Sequence, residues 1–347
     1  MMLKNNYNGG YSLVGIMIAL TVATVLLMSL TKSYMSSRQA TAYTNAANVM
    51  TSQLDLTLNQ LSSDIGKSGS FGCYNLRQQA VVAPSTAAMH DISASGTVNP
   101  ATGGLMVFSS SGALAEAGTP LTGINLASDA QVLKVQYGEG FALVESPITS
   151  PITVITFHQP DYQTLSGGNL VSVGGSNAAG KLDVNGFNTS SLAVLASCSR
   201  WDLIQGTLAG NTLNISSSYN ISLSTPPLHD VASLALMNVR TRYYYVATIN
   251  GISGLYVNQL LTNGTFSGSL LLLPNVSKLE FTFRVAAASG RKDDVVLSAM
   301  GAGDWLNLTV VNIFFDYRSA ESVTDNNQPL VISESASVAI LSAGLNS

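Results

Sequence analysis

Hydrophobic and polar positions divide this chain into two regimes. Residues 13–30 read LVGIMIALTVATVLLMSL and carry no charge. As a helix the run rises ~27 Å, and extension through Ser12 and Thr31 matches the ~30 Å hydrocarbon core of a bilayer. The stretch that follows has no proline and few glycines. Met50, Leu54, Leu58, Leu61 and Ile65 recur every three or four residues, which is one stripe of a helix. The first proline is Pro84. The pattern predicts one long helix from about Ser12 to about Ile65, lipid-soluble in its first half and amphipathic in its second.

From residue 70 the period shortens. Apolar and β-branched runs alternate with Gly, Ser, Asn and Pro clusters, the mark of strands and turns. Strands are predicted at Ala130–Tyr137, Ile152–His158, Leu170–Val173, Ser191–Ala196, Leu203–Leu208 and Val239–Ile249. Further strands are predicted at Leu255–Leu261, Leu270–Leu273, Lys278–Val285, Asn307–Tyr317 and Val331–Leu341. The expected class is α+β: a long N-terminal helix leading into a mostly antiparallel β head over residues 70–347. The Gly/Ser-rich stretches 165–180 and 286–304 read as surface loops, the first dividing the head into two lobes.

Composition narrows the setting. Of 347 residues, 10% are charged and 46% hydrophobic, too apolar for a disordered chain. Polarity comes from Ser, Thr, Asn and Gly, which suits an extracytoplasmic, strand-rich protein. The net charge of −4 gives no general attraction to nucleic acid or anionic lipid. Cys73 and Cys198 are the only cysteines. In an exported head they are expected to form a disulfide worth about 4–5 kcal/mol by loop-closure entropy, with two buried free thiols as the alternative. Lys4 precedes the apolar run while Lys32 and Arg38 follow it, so the positive-inside count opposes export of the head, and the cysteines and head composition favour it.

The front end does not follow the pattern of an ordinary signal peptide. The leader MMLKNNYNGG has a single Lys4, and no Ala-x-Ala cleavage site directly adjoins the apolar run. A short polar leader ending in Gly, then an aromatic, Ser-Leu-Val and an apolar run (GYSLVGIMIAL) resembles the start of a type IV prepilin. YMSSRQA (34–40) and LSSDIGKSGSFGC (61–73) resemble PilW-type minor pilins specifically. VLASCSRWDLIQ (194–205), VSKLEFTF (276–283) and VVNIFFDYRS (310–319) are compatible with the same family. The resemblance is strong over about the first fifth of the chain.

The resemblance implies cleavage between Gly10 and Tyr11 by a membrane aspartyl peptidase, which also methylates the new amino terminus. Residues 1–10 would be the leader and 11–65 the retained helix, with the anchor at about 12–31. Glycine before the cut suits a protease that needs extended substrate, because it resists helix formation. Gly15 departs from the family pattern. It occupies the fifth mature position, where most members carry a glutamate that pairs with the amino terminus of the preceding subunit. A subunit with no predecessor needs no such carboxylate, so Gly15 implies a place at the filament tip or entry in a preformed complex. Other minor pilins, the major pilin, the inner-membrane assembly platform, the prepilin peptidase and a large tip adhesin would be the partners. The chain would begin as a single-pass inner-membrane protein with a periplasmic head and end in the pilus, supporting twitching.

The sequence carries no recognisable catalytic constellation, and no cofactor is expected. GSNAAGKL (175–182) nearly matches a phosphate-binding loop, but Leu182 replaces the metal-holding hydroxyl and DVNG (183–186) breaks the helix that must follow. His90, His158 and His229 are scattered without metal spacing, and neither a nucleophile elbow nor a zinc-protease motif occurs. DVNG and RKDD (291–294) hold oxygen ligands without the layout of a calcium loop. RTRYYYV (240–246) interleaves Arg and Tyr as single-strand nucleic-acid binders do. Strand alternation puts Arg240, Arg242 and Tyr244 on one face and Val239, Thr241, Tyr243 and Tyr245 on the other, which reads as a half-buried strand, and nucleic acid is not expected as a partner. The competing readings are a type II secretion pseudopilin, which shares the same front end, and an adhesive or DNA-binding tip module.

Overall fold

The computed structural model describes residues 13–72, 74–77, 103–115, 121–127, 130–143, 154–156, 162–166, 169–173, 192–196, 201–209, 212–215, 235–260, 266–287, 290–301, 303–322 and 329–340. The chain opens with helix α1, Leu13–Lys67. Strands β1 (Ser70–Phe71), β2 (Tyr74–Asn75) and β3 (Leu105–Ser109) follow, then helix α2 (Ser110–Ala115). Next come β4 (Gln131–Leu143), β5 (Val154–Thr156), β6 (Tyr162–Ser166), β7 (Asn169–Val173), β8 (Leu192–Ala196), β9 (Trp201–Ala209) and β10 (Thr212–Ile215). The last group is β11 (Ala235–Ile249), β12 (Ile252–Gln259), β13 (Leu270–Pro274), β14 (Val276–Ala287), β15 (Gly290–Val296), β16 (Leu308–Ser322) and β17 (Pro329–Ala339). Every strand pair with a defined register is antiparallel, so the class is α+β.

The chain divides into two compact units. One contains the helix up to Ser52 together with Ser319–Val331; the other runs from Gln53 to Arg318 and includes Ile332–Ser347. In the first, Leu13 to Leu30 are exposed on all sides of the helix. The hydroxyls in this run bond to the helix's own carbonyls, Thr21 to Ile18 at 2.8 Å and Thr24 to Thr21 at 2.8 Å, so they add little cost in an apolar medium.

The second unit holds two main sheets. In the larger, nine-stranded one, β11 is central: at Arg242 it pairs with Val135 of β4 on one side and Gln259 of β12 on the other. Its hairpin with β12 turns on Asn250-Gly251, both at positive φ (51° and 80°), as a two-residue type I′ turn requires. One face of the sheet packs Val132, Tyr243, Tyr245, Ala247 and Tyr256 against Ala113 of α2 and Leu121. The smaller sheet runs β15-β14-β16-β17 and buries Leu279, Phe281, Phe283, Val311, Ile313 and Phe315 on one face, with Trp305 edge-on to Phe283 at 5.4 Å. Arg77, in the turn after β2, is buried, and its Nη1 donates to the Trp305 carbonyl at 2.6 Å; burial lowers its pKa to about 10.

Three expectations are corrected. The stretch 286–304 is not a loop: β14 continues to Ala287, β15 occupies Gly290–Val296, and a 3-10 turn follows at Leu297–Ala299. β15 hid from the pattern because an edge strand exposed on both faces has no apolar alternation. Within 165–180 the loop expectation fails where the predicted strand Leu170–Val173 forms as β7, paired with β6, and residues 174–180 lie outside the described residues. The 240–246 strand keeps the expected alternation from Val239 to Tyr243, with Arg240 and Arg242 half-buried between buried neighbours, and departs from it at Tyr244. Tyr243, Tyr244 and Tyr245 are all buried, because a central strand is covered on both faces.

Candidate functional site

Two features of α1 bear on function: its apolar first half and the cluster at its end. The first half contains a window of mean hydropathy 2.5 in which no residue is buried, long and apolar enough to cross a membrane. Gly15 lies within it with open space around its Cα. Gly10, Tyr11, Cys73 and Cys198 lie outside the described residues, as do the three histidines and residues 175–186.

The end of the helix, from Gln53, packs into the head. Leu54, Leu61 and Ile65 are buried and Leu58 is half-buried, along the predicted apolar stripe. Asp64 shares that covered face, and its side chain is only 4% exposed. A buried carboxylate must be met by donors or the fold loses several kcal/mol. Three arrive from the sheet. The Arg242 Nη1 donates to Asp64 Oδ2 at 2.6 Å, the Tyr137 hydroxyl donates to Oδ1 at 3.0 Å, and the Tyr244 hydroxyl donates to Oδ2. Arg242 is steadied by its Nε donating to Gln259 Oε1 at 3.1 Å. Lys67 Nζ lies 5.8 Å above the Tyr137 ring, and the Tyr317 hydroxyl of the second sheet donates to Gln53 Oε1 at 2.8 Å. The helix end is thus bonded to both sheets.

The arrangement fixes the helix end to the sheet through charged and neutral donors. Burial, and then the charge of Asp64, push the pKa of Tyr137 and of Tyr244 upward. Burial alone would lower Arg242, but its hydrogen bond to Asp64 and that carboxylate's charge outweigh burial and raise it. Tyr245, on the opposite face, is pushed up to about 12 by burial. Each tyrosine is therefore held neutral, and the sign follows. The folded state keeps protons that the unfolded chain releases near pH 10, so stability is full below pH 10 and falls as pH rises through 10 towards 12. Alkaline titration followed by tyrosinate absorbance should show these three ionising only with unfolding. Early, reversible titration of every tyrosine would contradict it.

Several sequence candidates resolve structurally. Arg240 is ion-paired with Glu139 and Arg242 with Asp64, so the RTRYYYV arginines serve the fold. In RKDD, Asp293 accepts from Arg291 at 2.8 Å and from Arg284, and the Arg291 bond first among these contacts lowers its pKa. Among the described residues, no His, Cys, Asp or Glu group is arranged to hold a metal ion. The sequence reading missed Asp64 altogether. Its one local signal is a carboxylate at position i+3 from Leu61, on the face that buries Leu61 and Ile65. No family model, curated protein or solved structure matches this chain, so its function must be read from the exposed apolar helix and the buried cluster at that helix's end.

Proposed function

We propose that this chain is a minor pilin that primes a type IV pilus and sits at or near its tip, a structural and interaction role without catalysis. The observation that carries the reading is a single 55-residue helix whose apolar start is fully exposed and whose last turns are locked under a β head. An exposed apolar span of this length is compatible with a single-pass membrane anchor. The same surface suits packing among sister helices in a filament, where van der Waals contact replaces lipid. The Gly9-Gly10 leader end supports processing at Gly10–Tyr11, and the resemblance of residues 9–40 and 61–73 to PilW-type proteins supports the pilus over other fibres. Gly15 supports the tip: without a carboxylate at that position the helix has nothing to offer a preceding subunit, and it avoids roughly 2.5–3.5 kcal/mol for a charge in the bilayer.

In this reading the prepilin peptidase releases the leader, the inner-membrane platform receives the anchor, and the head meets other minor pilins, the major pilin or a large tip adhesin. Mass analysis of the mature protein from its native membrane should find methylated Tyr11 as the first residue. Deletion of the gene should sharply reduce surface pili and twitching while major pilin levels stay normal. An intact Met1, or a cut beyond Leu30, would remove the basis of the proposal. Blocked enzyme export with normal piliation would move the chain to a secretion pseudopilus.

A further inference from the structure

The two edges of the four-stranded sheet are built differently. Any edge strand offers unpaired backbone N–H and C=O groups to another chain, and proteins usually block it with charge, bulges or proline. β15 carries these devices. It has four charges in a row, Arg291 to Asp294, a register shift opposite Phe283 and Val285, and Asp294 at a positive φ of 53°. β17 is the opposite edge, and among the described residues no strand lies beyond it. It is 11 residues long, its single proline is its first residue, and Glu334 is its only charge.

The free side of β17 can be placed by register. Ser333 bonds Asp316, Ser337 bonds Asn312, and the Ile340 N–H donates to the Thr309 carbonyl at 2.8 Å, all in one antiparallel register without a bulge. Even-numbered residues therefore direct their backbone groups to β16. Alternation turns the N–H and C=O of Ser333, Ser335, Ser337 and Ala339 to the open edge. All four residues are exposed and small, so an incoming backbone meets no bulk.

We propose that β17 is a docking edge that takes an extended strand from a different protein chain by β-augmentation, with a basic residue opposite Glu334. The position of Glu334 argues for a different chain over a second copy. It is the midpoint of β17, so a fully overlapped antiparallel copy would set Glu334 against Glu334, and like charges directly opposite are destabilising. A lysine or arginine there gains the same pairing with favourable sign. The inference concerns the head alone and does not depend on the chain entering a filament.

The test uses the full chain in lipid nanodiscs and two acetylated peptides of alternating threonine and valine, one with a central lysine and one with a central glutamate. Hydrogen exchange read by mass spectrometry should slow about tenfold across residues 332–339 when the lysine peptide saturates. The glutamate peptide should bind about two- to fivefold more weakly, and Glu334→Lys should reverse that preference. Ser335→Pro removes one outward N–H without breaking a bond to β16, so it should abolish protection while leaving the melting temperature unchanged. No slowing with the lysine peptide, slowing that survives Ser335→Pro in a folded protein, or a preference untouched by Glu334→Lys overturns the proposal. Self-association that protects β17 without peptide overturns it in favour of a second copy.

Discussion

Asp64→Ala should lower the unfolding free energy by about 3–5 kcal/mol. The substitution removes the acceptor for three bonds at once and strands the Arg242 cation, whose side chain is only 20% exposed, with Gln259 as its remaining bonded partner. The Tyr137 and Tyr244 hydroxyls lose their acceptor in the same site. The large effect comes from breaking the pair, not from the pair's net worth. For that reason Asp64→Ala combined with Arg242→Met should recover at least half of the loss, because apolar groups replace a buried ion pair at little cost. Denaturant unfolding of the purified chain, read by tryptophan fluorescence, measures both. A single-mutant loss below about 1 kcal/mol would mean that water already satisfies the cluster. Under the proposed function, such a variant should still be processed at Gly10 but accumulate poorly, since the head would no longer hold the helix end.

The second large effect is expected at Gly104. The chain leaving α1 crosses the start of β3 so closely that no side chain fits between the two backbones. The Gly69 N–H donates to the Gln136 carbonyl at 2.8 Å and the Gln136 N–H to the Gly104 carbonyl at 2.7 Å, which clamps the crossing to β4. Gly69 and Gly104 both lie at positive φ, 74° and 76°. A Cβ on Gly104 would sit 2.6 Å from the Gln136 carbonyl oxygen and press on the Gly69 backbone nitrogen. Backbone cannot swing aside as a flexible side chain can, so Gly104→Ala carries both the left-handed penalty and an overpacking penalty, together about 2–5 kcal/mol. Gly123→Ala is the control: its φ is 81° but it faces open space, so only the conformational penalty of about 1–2 kcal/mol applies. Equal losses at the two positions would show that the crossing is looser than described.

What the sequence determined by itself was whatever depends on near neighbours. The continuous helix was legible because apolar spacing and the absence of proline act over a few residues, and it ends at Lys67, two residues past the expected Ile65. The strands from β11 to β14 were legible because alternation is equally local. What only the tertiary structure decided was which face, which edge and which partner. The Asp64 bonds join residues 73 to 180 apart in the chain, and no local period reports a carboxylate meeting an arginine over that distance. The Arg and Tyr run at 240–246 could have faced water or nucleic acid. Coverage on both faces of β11 buried its tyrosines and paired its arginines with Glu139 and Asp64. The charges that distinguish β15 from β17 lie in the sequence but matter only because the fold put both strands at edges, and Gly69 and Gly104 matter only because two distant backbones cross there. Local periodicity sets which elements form; burial of groups far apart in sequence sets what those elements are joined to, because desolvation penalises any polar group whose partner the fold does not bring to it.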